Sequence, residues 1–121
     1  MNKEIKESKT GKNPFPESIK NLPHIDVPFE GVLGHLLQGE QQQMVFLFFE
    51  KDTEIPPHHH EDQWEIVLEG MVDLNMNEKS QRYRRGDRFF IPSGVRHSAM
   101  VHAGYSAIVF FNEKNRYSII P

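Results

Sequence analysis

From Gly31 onward the chain is cut at close intervals by Gly, Pro and Asn, and the apolar runs between the cuts are too short for anything but strands. Residues 32–38 and 42–50 flank Gly39-Glu40, which suits a hairpin turn. Within 42–50, Met44, Phe46 and Phe48 share one face while Val45, Leu47 and Phe49 share the other, because strand side chains alternate. A strand apolar on both faces lines a pocket with one and packs on a second layer with the other. Lys51-Asp52-Thr53-Glu54 reads as a turn, and Pro56-Pro57 stiffens the approach to His58. Further strands are expected over 63–69 and 71–76, bent at Gly70, then over 80–84, 88–91, 97–102 and 105–111. Asn77-Glu78-Lys79 supplies the turn between two of them. About eight or nine short strands without a helix describe an all-β sandwich or small barrel.

The first residues are different in kind. Residues 1–14 alternate Lys, Glu and small polar residues and carry little to bury, so a flexible tail is expected there. Pro14, Pro16, Pro23 and Pro28 then punctuate an irregular arm over 15–30 with one short edge strand, anchored by Ile19, Leu22, Ile25 and Val27. With 121 residues and no internal repeat, 15–121 is expected to be one domain.

Chemistry concentrates between Pro56 and Gly70. Residues at i and i+2 of an extended segment point the same way, so His58 and His60 can reach one metal ion together while His59 points away. His97, from a later strand, can close the set. Taken alone, three consecutive histidines suit a hydrophilic loop as well as a metal site.

Residues 58–70 and 86–101 together resemble the paired motifs of the cupin superfamily. The second motif reads G, five residues, P-x-G, two residues, H, three residues, N; Gly86, Pro92, Gly94 and His97 match every spacing, and Val101 replaces the Asn. The first motif lacks its leading Gly, and two residues rather than three or four separate His60 from Gln63, which replaces the acidic ligand. Six residues then lead from Gln63 to Gly70, so Gln63 keeps the register of the family's carboxylate.

The resemblance implies a jelly-roll barrel (a double-stranded β-helix) with His58, His60, Gln63 and His97 around one divalent first-row transition metal: Zn, Ni, Fe, Mn or Co. It also implies a homodimer whose arm lies across the neighbouring subunit. Gln in place of Glu leaves the site at the full charge of the ion, a stronger Lewis acid held by weaker ligands. The alternative is that Gln63 points into the pocket without touching the ion. Glu65 falls on the same strand face, about 7 Å beyond Gln63. Buried there, its carboxyl would titrate high and serve as general acid or base; alternatively it pairs with Arg84, Arg88 or Arg96. His102 and His35 read as structural, His24 as solvated, and Trp64 as packing between layers or subunits.

Composition removes other classes. There is no Cys for a disulfide framework, and the longest apolar run, Met44 to Phe49, is far short of a membrane span. A net charge of −3 with mixed signs leaves no nucleic-acid footprint. No nucleophile elbow or phosphate loop is present. The N-terminus lacks the apolar core of a signal peptide, so a cytoplasmic protein is expected. Since a fold hosts many functions, the leading reading is a metal-dependent enzyme of isomerase or lyase type acting on a small hydroxy, keto or carboxylate substrate. The alternatives are a non-catalytic metal- or small-molecule-binding protein and a metal-dependent dioxygenase.

Overall fold

The structure is a computed structural model that describes residues 13–121. Most of the expected flexible tail therefore lies outside the described residues. Strands β1 (Val32–Gln38), β2 (Gln43–Phe49), β3 (Thr53–His58), β4 (Gln63–Glu69), β5 (Met71–Met76), β6 (Lys79–Arg84), β7 (Arg88–Ile91), β8 (His97–Val101) and β9 (Tyr105–Phe111) follow one another. They form two antiparallel sheets, β1-β2-β9-β4-β7 and β3-β8-β5-β6. This is the all-β jelly-roll architecture expected from the sequence.

Alternation decides what lies between the sheets. Val45, Leu47 and Phe49 of β2 and Tyr105, Ala107, Val109 and Phe111 of β9 turn inward and meet Val72, Leu74 and Val101 of the other sheet. Phe46 and Phe48 take the outer face of β2, where Phe15 of the arm covers them together with Ile19 and Leu22. The second layer anticipated for β2 is thus the N-terminal arm itself.

Three local readings are corrected. Residues 51–57 were expected as a turn and a proline-stiffened approach, yet 53–58 form β3. Pro56 and Pro57 are tolerated because β3 is the edge strand of its sheet and its ladder is interrupted between Ile55 and His58. The arm contains a one-turn helix, α1 (Glu17–Lys20), where no helix was expected, and its edge strand is reduced to isolated bridges from His24 to His35 and Ile25 to Ile119. Trp64 does not sit between the layers. It stands on the outer face, 40% exposed, in a cross-strand row with Leu37, Met44, Phe110 and Phe90. No helix among the described residues is long and apolar enough to cross a membrane.

At Gly70 the chain leaves the first sheet for the second. Its φ is +79°, and a Cβ there would lie 2.8 Å from Tyr105 Cα. Gly86 has φ +89° but open space around it. Substituting Ala at Gly86 should therefore cost only the left-handed penalty of about 1–2 kcal/mol. Gly70→Ala adds overpacking of about 1–3 kcal/mol, so it should unfold at clearly lower urea than Gly86→Ala. Equal midpoints for the two variants would refute this account of the crossover.

Candidate metal centre

Strand register brings the first two imidazoles together. β3 ends at His58, β8 begins at His97, and the two residues are cross-strand partners. His60, two residues on, is fixed by the loop that follows β7: Gly94, at φ +79°, donates its N–H to His60 O at 2.9 Å. The same loop is latched to its neighbour by Ser93 N–H to Asp62 Oδ1 (2.8 Å) and Ser93 Oγ–H to Glu61 Oε1 (2.7 Å). Ring centroids are 4.3 Å apart for His58 and His97, 4.8 Å for His60 and His97, and 5.1 Å for His58 and His60.

The rings are also chemically prepared. Nδ1 of His58, His60 and His97 lies 2.9, 2.8 and 2.9 Å from the carbonyl oxygens of Pro56, Glu61 and Val95. A carbonyl can only accept, so each Nδ1 carries a hydrogen, and in the neutral ring Nε2 is then the atom with the lone pair. The ligand atoms of the three rings lie within 4.8 Å of one another. Burial pushes the His97 imidazole down to about 4, with the neighbouring His58, His60 and Arg116 charges adding to the effect. Burial lowers His60 as well. His59 is exposed and is not among the residues that line the cavity.

Gln63 and Glu65 both face the cavity from β4. Gln63 Nε2 donates to Glu65 Oε1 at 2.6 Å, which leaves the Gln63 carbonyl oxygen available. Glu65 is buried, and the Tyr105 hydroxyl donates a short hydrogen bond to its Oε2. Burial pushes the Glu65 carboxyl up to about 7, opposed by the bonds from Tyr105 and Gln63. The ion-pair alternative is not realised. Arg84, Arg88 and Arg96 are all exposed, Arg88 because it alternates with the inward Phe89 and Ile91 of β7.

The cavity amounts to about 90 Å³, and residues from the chain's end close part of it. Arg116 and Tyr117 line it, with the Arg116 Cζ 4.8 Å from the Tyr117 ring centroid and 5.6 Å from that of Phe111. Sequence reasoning missed Arg116 and Tyr105. Inward parity on β9 would have pointed to Tyr105, but Arg116 follows the last strand in an irregular segment, and nothing in the sequence marks it.

The remaining histidines stand apart from the cavity lining. His102 Nε2 is 2.8 Å from Asp73 Oδ2. His24 is exposed and donates from Nε2 to Lys20 O at 3.1 Å. His35 is buried against the arm, its Nε2 accepting from Asn13 Nδ2 at 2.7 Å.

A family model described as the Cupin domain matches residues 45–111. Among solved structures, the chain is similar to an RmlC-like cupin from Shewanella frigidimarina, 26% identical with a TM-score of 0.68, over 78% of this chain and 86% of that one. KdgF from Halomonas sp. is 20% identical with a TM-score of 0.64, over 75% of this chain and 87% of that one. A Bacillus subtilis oxalate decarboxylase variant is 17% identical with a TM-score of 0.68, over 84% of this chain but 30% of the larger one. The last two likenesses bear on fold alone. A search of curated proteins gives no match.

If the three rings share one ion, His97→Ala should lose most of the metal bound by the wild type, while His59→Ala retains it. Elemental analysis of protein prepared without an affinity tag reads the difference, and equal metal in the two variants would sink the assignment.

Proposed function

The chain belongs to the cupin family, and from that premise we propose that it is a metal-dependent enzyme acting on a small oxygen-rich molecule held in the barrel. One observation carries the reading: three imidazoles with fixed Nδ1–H tautomers face the same small cavity as a buried carboxyl. The proposed ligands are His58, His60 and His97, with the carbonyl oxygen of Gln63 as the fourth. Zn, Ni, Fe, Mn and Co all suit such a set; Mn(II) centres are known in the structurally similar Bacillus subtilis oxalate decarboxylase. When bound, the metal supplies Lewis-acid polarisation of a substrate oxygen.

The chain's own residues do the rest. Gln63 has a double role, offering its oxygen to the centre and its Nε2–H to Glu65. Glu65, pushed up to about 7 by burial, is divided between acid and base at neutral pH, the condition under which a carboxyl best gives or takes a proton. Tyr105 holds the far oxygen of that carboxyl and fixes its plane. Apolar walls from Phe49, Phe89 and Phe111 exclude water around it. These features favour isomerase- or lyase-type proton shifts. A non-catalytic binding protein is the second reading, favoured by the engagement of both Glu65 oxygens by Gln63 and Tyr105. A dioxygenase would draw on the same imidazoles. A cytoplasmic setting suits the absence of Cys.

Glu65→Gln separates the first two readings. It should keep fold and metal yet reduce turnover by about 10²–10⁴-fold on whichever hydroxy, keto or carboxylic acid the wild type converts. Normal metal, normal melting temperature and normal turnover together would remove Glu65 from the mechanism. A fall in metal content would make it a ligand instead.

We further propose a homodimer built on the outer sheet face; the arm, expected to lie across the neighbouring subunit, covers Phe46 and Phe48 of its own chain. Leu37, Trp64 and Phe90 are 47%, 40% and 51% exposed in one apolar row, an arrangement that marks association surfaces. Light scattering at micromolar concentration should give twice the chain mass, and Trp64→Glu with Phe90→Glu should halve it. A monomeric wild type refutes the proposal.

A further inference from the structure

Among the described residues Arg116 is the one Lys or Arg of the cavity wall, and none of them gives it an acid. Of the other arginines, Arg82 and Arg85 meet carboxylates, Arg82 Nε 2.7 Å from Asp73 Oδ1 and Arg85 Nε 3.8 Å from Glu69 Oε2, while Arg84, Arg88 and Arg96 are exposed to solvent. Among the described residues Arg116 forms no ion pair, and its Nε is buried without a hydrogen-bond partner. A buried donor left unpaired is unfavourable, so its retention in the cavity wall asks for a partner from outside the chain.

The guanidinium is held for such a partner. Its Cζ lies over the Tyr117 and Phe111 rings, at 4.8 and 5.6 Å from their centroids, and these rings satisfy none of its N–H groups with an in-plane acceptor. It lines the same cavity as His58, His60 and His97. Around it the three imidazoles and Gln63 are uncharged donors, and Glu65 is the cavity's sole carboxyl, already committed to Gln63 and Tyr105. A divalent ion would add to the positive charge and not offset it. A neutral polyol would leave that charge unmatched; a carboxylate balances it and fits the planar fork.

We propose that Arg116 is the specificity residue of this pocket and that its ligand is a small carboxylic acid, anchored on the guanidinium with a further oxygen towards the imidazoles. This rests on the metal-centre reading of the same cavity. A cavity of about 90 Å³ suits a short acid.

The test is calorimetric titration of Zn²⁺-loaded protein with pyruvate, oxalate and malonate, and with methyl pyruvate and malonamide as uncharged counterparts. At least one acid should bind, more tightly than its uncharged counterpart, and Arg116→Gln should weaken it at least about tenfold, roughly the worth of one charge-assisted hydrogen bond. The uncharged counterparts should not respond to the substitution. Arg116→Lys, which keeps the charge but not the fork, should fall between wild type and Arg116→Gln. If Arg116→Gln melts early, the Arg116→Lys protein carries the comparison, and undiminished acid binding there counts against the anchor. Acid binding by Arg116→Gln equal to wild type, or no acid binding by folded wild type, overturns the proposal. Elemental analysis of the same samples keeps the two readings apart. Arg116-dependent binding in a protein that takes up no metal removes the metal reading and leaves the anchor.

Discussion

Three hydrogen bonds from imidazole Nδ1 to the carbonyls of Pro56, Glu61 and Val95 decide what this barrel can hold. Each is worth only about 1 kcal/mol as a contribution to stability. Their consequence is chemical: they fix the tautomer, and with it the direction of three lone pairs. The carbonyls are in turn positioned by features with no chemistry of their own. The β3 irregularity beside Pro56 and Pro57 sets the first, and the turn after β7, tied to His60 through Gly94, sets the others. A proline pair on an edge strand and a left-handed glycine thus support the centre as firmly as the histidines do.

The second constraint is electrostatic. The sheet pairing of β4 with β9 places Glu65 in the interior with no cation against it. Its charge is managed by sharing: Gln63 donates to one oxygen and Tyr105 to the other. Tyr105 is itself buried, and both its burial and the Glu65 carboxylate push its phenol upward, so the proton stays on the tyrosine. A chain of hydrogen bonds then runs from Tyr105 through Glu65 to Gln63 at the edge of the imidazole cluster. The one cation of the cavity, Arg116, stands apart from this chain, stacked on aromatic rings.

How much of this could be read beforehand follows from the range of each signal. The expectation for β4 coincides with the observed Gln63–Glu69 because period-two patterning and a glycine define it locally. The structure brings His58, His60 and His97 together, as the spacing within the two motifs led one to expect. β3 was lost because Pro56-Pro57 argues against a strand, and only the sheet order shows that this strand is an edge. The partner of Glu65 was left open because parity gives the face of a strand but not the neighbouring strand: Tyr105 of β9, and none of the arginines offered as the alternative, meets the carboxyl. Arg116 was invisible altogether, since its position depends on how an irregular segment folds back over Phe111.

The central claim is that three neutral imidazoles, each with Nδ1–H bound to a carbonyl, share one ion through Nε2. Proton NMR of the Co²⁺-substituted protein tests it most directly, because hydrogen-bonded Nδ1–H groups of cobalt-bound imidazoles exchange slowly with water and are shifted far outside the ordinary spectrum. The account predicts three such exchangeable resonances, each removed by substituting one of His58, His60 and His97 and none by substituting His59. Two or fewer resonances, or one that disappears with His59, would contradict it.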